Sequence, residues 1–157
     1  MEFLPISWTQ AEKLCIKLSN KVKSYQPDVL IGISRGGLVP VRILSDLLDI
    51  HDVCVLRVQF YRSIGHAPDE PRITQGQDMQ ISGKKVLVVD DISDTGKSLM
   101  VIKKFINDKK PREVKFATLH FKPKTSFKPD YYLSKTNKWV IYPWEKQEVA
   151  RELKECK

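Results

Sequence analysis

Residues 86–99 read VLVVDDISDTGKSL, and the fold is decided by how this stretch is read. Four apolar residues run straight into Asp90 and Asp91; a third carboxylate follows at Asp94, and then Thr95, Gly96, Lys97 and Ser98. A short apolar run bounded by turn residues is the pattern of a strand buried on both faces, as in a parallel sheet. Residues 95–107 then carry Leu99, Ile102, Phe105 and Ile106 at helical spacing, so the strand turns directly into a helix. Two adjacent carboxylates repel each other, and a chain that folds around such a pair has something for it to hold.

The same alternation extends outward on both sides. Ala11, Leu14, Cys15, Leu18 and Val22 fall on one face of an opening helix, and VLIGI at 29–33 is a second buried-strand run. The tight turn Ser34-Arg35-Gly36-Gly37 leads into a helix over 40–48, and VCVLRVQF at 53–60 is the next strand. Strand, turn, helix, strand is the parallel βαβ unit. Downstream, EVKFATLHF at 113–121 predicts a strand, KWVIYPW at 138–144 a short aromatic strand, and a charged helix starts at Glu145. The expected fold is α/β, a three-layer sandwich with a mainly parallel central sheet. Residues 61–83 lose periodicity and hold Gly65, Pro68, Pro71, Gly76 and Gly83, which predicts a long irregular loop of the kind that serves as a lid.

With 157 residues, the chain suits one domain over 1–157. Hydrophobic residues at 41% and charged residues at 29% exclude disordered and fibrous classes. Cys15, Cys54 and Cys156 are far apart and in no metal-binding spacing, which predicts reduced thiols. No signal-peptide pattern and no membrane-length apolar run are present, so a cytoplasmic protein is expected. The net charge of +8 favours an anionic ligand. The basic residues are scattered along the chain, however, and nucleic acid is not expected as a partner.

In parallel sheets, ligands bind where strands turn into helices. With Asp90 and Asp91 as strand ends and residues 95–98 opening the helix, unpaired N–H groups converge on one point, a ready anion site. Thr95 and Ser98 add hydroxyl donors, and Gly96 allows close backbone approach to a phosphate. A phosphate alone would be repelled by three carboxylates; a ribose 5-phosphate with Mg²⁺ nearby accounts for the whole stretch. A capping aspartate at Asp94 explains one carboxylate and leaves two. The Walker A pattern fails because position 91 is Asp91 instead of glycine, and the haloacid-dehalogenase pattern fails because its aspartates alternate, whereas Asp90 and Asp91 are adjacent.

The stretch resembles the 13-residue phosphoribosyl pyrophosphate (PRPP) signature of the type I phosphoribosyltransferases. The resemblance implies that Asp90 and Asp91 lie beside the ribose hydroxyls and the metal, that residues 94–98 wrap the 5-phosphate, and that Ser34, Arg35, Gly36 and Gly37 form the pyrophosphate loop. It also implies a non-proline cis peptide, with strain, at Ser34-Arg35. Phe121-Lys122-Pro123 and Trp139-Val140 followed by Pro143-Trp144 are similar to features of the bacterial 6-oxopurine enzymes of the xanthine-guanine type. By that resemblance Lys122 donates to O6, Trp139 stacks on the purine, backbone near Val140 reads the 2-position, and Asp94 acts as general acid/base at N7.

The implied activity is transfer of a phosphoribosyl group from PRPP to N9 of guanine, xanthine or hypoxanthine, giving nucleoside monophosphate and pyrophosphate in purine salvage. Mg²⁺ is the implied cofactor and a homodimer or homotetramer the implied assembly. A hood from the N-terminal segment and about 122–144, and a flexible lid at about 61–83, complete the picture. The family's Ser-Tyr pair is missing at Phe60-Tyr61-Arg62-Ser63, which leaves Tyr61, Arg62, Ser63 and Arg72 as alternatives for the lid contact to pyrophosphate. Another base, adenine or a pyrimidine, and a non-enzymatic PRPP-binding regulator are the alternative readings.

Overall fold

The computed structural model describes residues 2–61 and 70–155. Its central sheet has six strands: β2 (Val29–Ser34), β3 (Val53–Tyr61), β4 (Glu70–Gln75), β5 (Lys85–Ser93), β6 (Glu113–Phe121) and β7 (Tyr131–Lys135). They lie in the order β4-β3-β2-β5-β6-β7, and all neighbours are parallel except β3 and β4. A separate two-stranded parallel sheet joins β1 (Phe3–Pro5) to β8 (Trp139–Ile141).

Strand alternation sorts the central residues into two cores. Leu30, Leu87, Val89 and Leu119 face the helices α1 (Trp8–Val22) and α2 (Leu38–Leu48), packing against Cys15, Leu18 and Leu44. Val29, Ile31, Val86 and Val88 face the opposite way, toward Leu99, Ile102 and Ile106 of α3 (Lys97–Asp108). This is the expected three-layer sandwich. Helix α1 opens with a reciprocal cap: the Gln10 amide donates to the Ser7 hydroxyl at 3.2 Å, and the Ser7 amide donates to the Gln10 side chain at 2.8 Å. A last helix, α4 (Lys146–Glu155), follows β8. Among the described residues no helix is long and apolar enough to cross a membrane. Cys15 and Cys54 are free thiols, and Cys156 lies outside the described residues.

Four features differ from the sequence reading. Residues 70–75, expected to be irregular, form β4 on the sheet edge, where Pro71 is tolerated because an edge strand can spare an N–H. Strand β7 and strand β1 were not expected; their residues show no alternation or apolar run, and pairing partners define them. Strand β5 does not end at Asp90 and Asp91 but continues to Ser93. Thr95 and Gly96 precede α3 rather than opening it, with Gly96 as its N-cap at φ +83°.

Candidate active site

The extra length of β5 separates the adjacent aspartates. Asp91 continues the parity of Leu87 and Val89 and points to the α1/α2 side, whereas Asp90 continues that of Val86 and Val88 and points to the α3 side. Asp90 lines a cavity of about 380 Å³ with Phe60, Asp94, Thr95, Lys97 and Ser98. Asp91 is only 6% exposed. Its Oδ2 accepts from the Trp144 indole N–H at 3.1 Å, and Gly36 has no side chain because a Cβ there would lie 2.4 Å from that oxygen. Burial and then the charge of Asp91 push the Asp90 carboxyl well above its usual range, and burial also raises Asp91 against the lowering effect of the Trp144 hydrogen bond.

The turn 94–96 places Asp94 and Thr95 in the open while the residues around it are tied down. The Thr95 carbonyl accepts from the Ser126 amide at 3.0 Å and the Ser126 hydroxyl at 2.8 Å. A Cβ on Gly96 would sit 2.5 Å from the Phe127 amide nitrogen. The absent side chain therefore makes room for the 125–127 loop, a constraint that the sequence reading did not include. Ser93 anchors the same loop, donating to the Phe127 carbonyl at 2.9 Å. The first turn of α3 borders the cavity that Asp90 shares, with the Lys97 amide donating to the Thr95 hydroxyl at 3.4 Å.

On the other side of Asp94 lies a second cavity of about 230 Å³, lined by Ile92, Asp94, Lys122, Trp139, Val140 and a face of α4. Strand β1 supports this wall, because Phe3 and Leu4 pair with Trp139 and Val140. Trp139 is 41% exposed, with its ring available, whereas Val140 is buried in the core. The Lys122 ammonium donates to the Lys138 carbonyl at the cavity rim. Glu145, Glu148 and Glu152 complete the lining, and sequence reasoning missed them; their i, i+3, i+7 spacing on a charged helix was the available signal.

The turn after β2 connects the two sides. The Ser34-Arg35 peptide is cis. Gly37 passes so close to β5 that a Cβ would be 2.3 Å from the Val89 carbonyl oxygen. Arg35 is exposed and paired with Glu148 of α4. Of the four lid residues left open by the sequence, Tyr61 ends β3 and Arg72 lies in β4, while Arg62 and Ser63 fall outside the described residues.

A strand-turn-helix anion site with carboxylates beside it, a glycine turn from the neighbouring strand, and a second cavity sharing Asp94 match one known architecture. Residues 5–155 match the phosphoribosyl transferase domain family. The chain belongs to that family. It is 30% identical over 147 residues to a xanthine-guanine phosphoribosyltransferase of Cereibacter sphaeroides, covering 89% of this chain and 85% of that protein. Its fold superimposes on a purine phosphoribosyltransferase of Pyrococcus horikoshii with a TM-score of 0.84 and 40% identity, over 92% of this chain and 94% of that one. A xanthine-guanine-hypoxanthine phosphoribosyltransferase of Helicobacter pylori gives a TM-score of 0.79 at 25% identity, over 96% and 98% of the two chains. This phosphoribosyltransferase is an enzyme with the fold of its family, as the signature at 86–99 implied.

Proposed function

We propose that the enzyme transfers the phosphoribosyl group of PRPP to N9 of a 6-oxopurine base, guanine, xanthine or hypoxanthine, releasing pyrophosphate in purine salvage. The observation that carries this reading is that Asp94 lines both cavities. One cavity has the chemistry for a ribose 5-phosphate, the other for a flat heterocycle, and the carboxylate stands between them. The named purine enzymes among the relatives support the same choice.

In this reading the N–H groups and hydroxyls at Thr95 and Ser98 hold the 5-phosphate. Ser34, Arg35, Gly36 and Gly37 take the diphosphate, with Lys97 adding charge near the phosphate end. Trp139 stacks on the base and Lys122 leaves the Lys138 carbonyl to donate to O6, a contact that adenine, with an amino group there, cannot return. Backbone at Val140 reads the 2-position. As N9 bonds to the ribose carbon and the bond to pyrophosphate breaks, positive charge develops on the ring and Asp90 stabilises it. Asp94 takes the proton from N7.

Asp90 and Asp91 are hard oxygen donors, and one or two carboxylates together with substrate phosphates are what Mg²⁺ takes. Asp90 alone of the pair opens to the cavity, and one carboxylate beside substrate phosphates suits the ion; when bound, Mg²⁺ would neutralise charge on the departing diphosphate. The test is to incubate the enzyme with PRPP, Mg²⁺ and each of guanine, xanthine, hypoxanthine, adenine, uracil and orotate, and to follow nucleotide formation. Turnover confined to the 6-oxopurines is expected. Turnover with adenine or a pyrimidine alone overturns the base assignment.

A further inference from the structure

Trp144 lies just beyond β8, beside the wall that holds Trp139 and Val140, yet its polar atom is directed elsewhere. Its indole N–H donates to Asp91 Oδ2 at 3.1 Å. Its ring stacks on Tyr142 with centroids 4.8 Å apart and planes only 6° from parallel. Tyr142 is itself fixed: its hydroxyl donates to the Asp91 carbonyl at 2.9 Å and lies 2.7 Å from His120 Nδ1. The segment after β8 therefore grips both the backbone and the side chain of Asp91. The same carboxylate, with Oδ2 nearest, lies against Gly36, the middle of the turn after β2.

We propose that Trp144 is a positioning residue for the PRPP half of the reaction, acting through Asp91 on the turn 34–37, and not a reader of the base. This rests on the assignment of that turn to the diphosphate. A carboxylate on a strand can rotate about two torsions; the indole N–H selects one orientation and compensates a buried charge. With Oδ2 held, the carboxylate forms a fixed floor beneath Gly36, and the turn's amides keep one arrangement before the diphosphate arrives. Neither Trp144 nor Asp91 lines the cavity that holds Trp139, which is why the effect belongs to PRPP.

Trp144→Phe keeps an aromatic ring for Tyr142 and removes the donor. The experiment measures the Kd of PRPP with Mg²⁺ and the Kd of guanosine monophosphate by calorimetry, alongside the KM of each substrate. Loss of a hydrogen bond to a charged group should raise the PRPP Kd by about tenfold. The KM for base should change less than about twofold and the thermal midpoint should stay within a few degrees. Trp144→benzothienylalanine, which keeps the bicyclic shape without the N–H, gives the same readout should phenylalanine impair folding. In an Asp91→Ala background, which removes the acceptor, the Trp144 substitution should add nothing, because both act through one contact. Unchanged PRPP affinity, a loss confined to the base, or full additivity with Asp91→Ala overturns the proposal. Wild-type enzyme that binds no PRPP at all would instead overturn the assignment of the turn, and the proposal with it.

Discussion

Arg35 Nη2 lies 2.6 Å from both carboxylate oxygens of Glu148, so the guanidinium of the turn after β2 is engaged by the helix that lines the second cavity. The pair is exposed, and exposed pairs contribute at most about 1 kcal/mol. A diphosphate that takes Arg35 must displace Glu148. Glu148→Gln should therefore tighten pyrophosphate binding by about two- to fivefold at low salt, and the gain should shrink as ionic strength rises. Calorimetric titration with pyrophosphate checks this; weaker binding in the variant would show that Glu148 supports Arg35 instead of competing for it.

Asp94 is exposed and lines both cavities. Asp94→Asn should lower kcat by about 10²- to 10⁴-fold, the range for loss of a positioned acid/base. PRPP affinity should move by less than about threefold, since the backbone N–H groups remain. Steady-state kinetics beside direct binding separates these; a collapse in PRPP affinity with kcat preserved removes Asp94 from proton transfer.

Lys122 can only donate, and its ammonium rests on the Lys138 carbonyl at the cavity rim. Lys122→Ala should raise the KM for guanine and hypoxanthine by about tenfold, the loss of a charge-assisted hydrogen bond. Any residual use of adenine should be unaffected, and equal losses for both classes of base would take Lys122 off the O6 contact.

Tyr142 is buried, with its hydroxyl serving the Asp91 carbonyl and His120 Nδ1 at once. Tyr142→Phe leaves both groups without that partner in the core and should destabilise the protein by about 1–3 kcal/mol. For a chain of this size that is a fall of roughly 2–10 °C in thermal midpoint. Differential scanning calorimetry measures it, and an unchanged midpoint would mean that neither bond contributes.

Burial and then Asp91 raise the Asp90 carboxyl in the folded, ligand-free enzyme above its usual 3.8. The folded state then binds more protons than the unfolded state above that value, so this group's contribution is fully present below about pH 4 and is lost as pH rises through the folded pKa. Asn does not titrate. The midpoint of Asp90→Asn relative to wild type should therefore be higher near pH 7 than near pH 4. A pH-independent difference would show that Asp90 titrates normally.

Much of this was legible in the chain itself. The apolar runs at 29–33 and 86–89 had no alternative to buried parallel strands, and the glycine turns after them followed from the βα connection. What was missed depends on partners that sequence does not display. Residues 70–75 pair only because β3 presents an edge, and Tyr131–Lys135 only because β6 does. The two aspartates read as one acidic site, yet the strand period, carried two residues further, already assigned them to opposite faces. Gly96 was read for a ligand only, and its packing against the 125–127 loop is a contact distant in sequence. Glu145, Glu148 and Glu152 were taken together as a charged helix, and only the packing of α4 turns them toward a cavity.

The pairing of Phe3 with Trp139 joins two strands that have the whole central sheet between them in sequence. As the chain leaves the ribosome, β2, β5 and α3 are all made before β8, so β1 has no partner until those elements have emerged. The central sheet can thus pair during synthesis, whereas the wall that carries Trp139 and the Trp144 contact to Asp91 close only afterwards, through meetings of long sequence separation that form slowly.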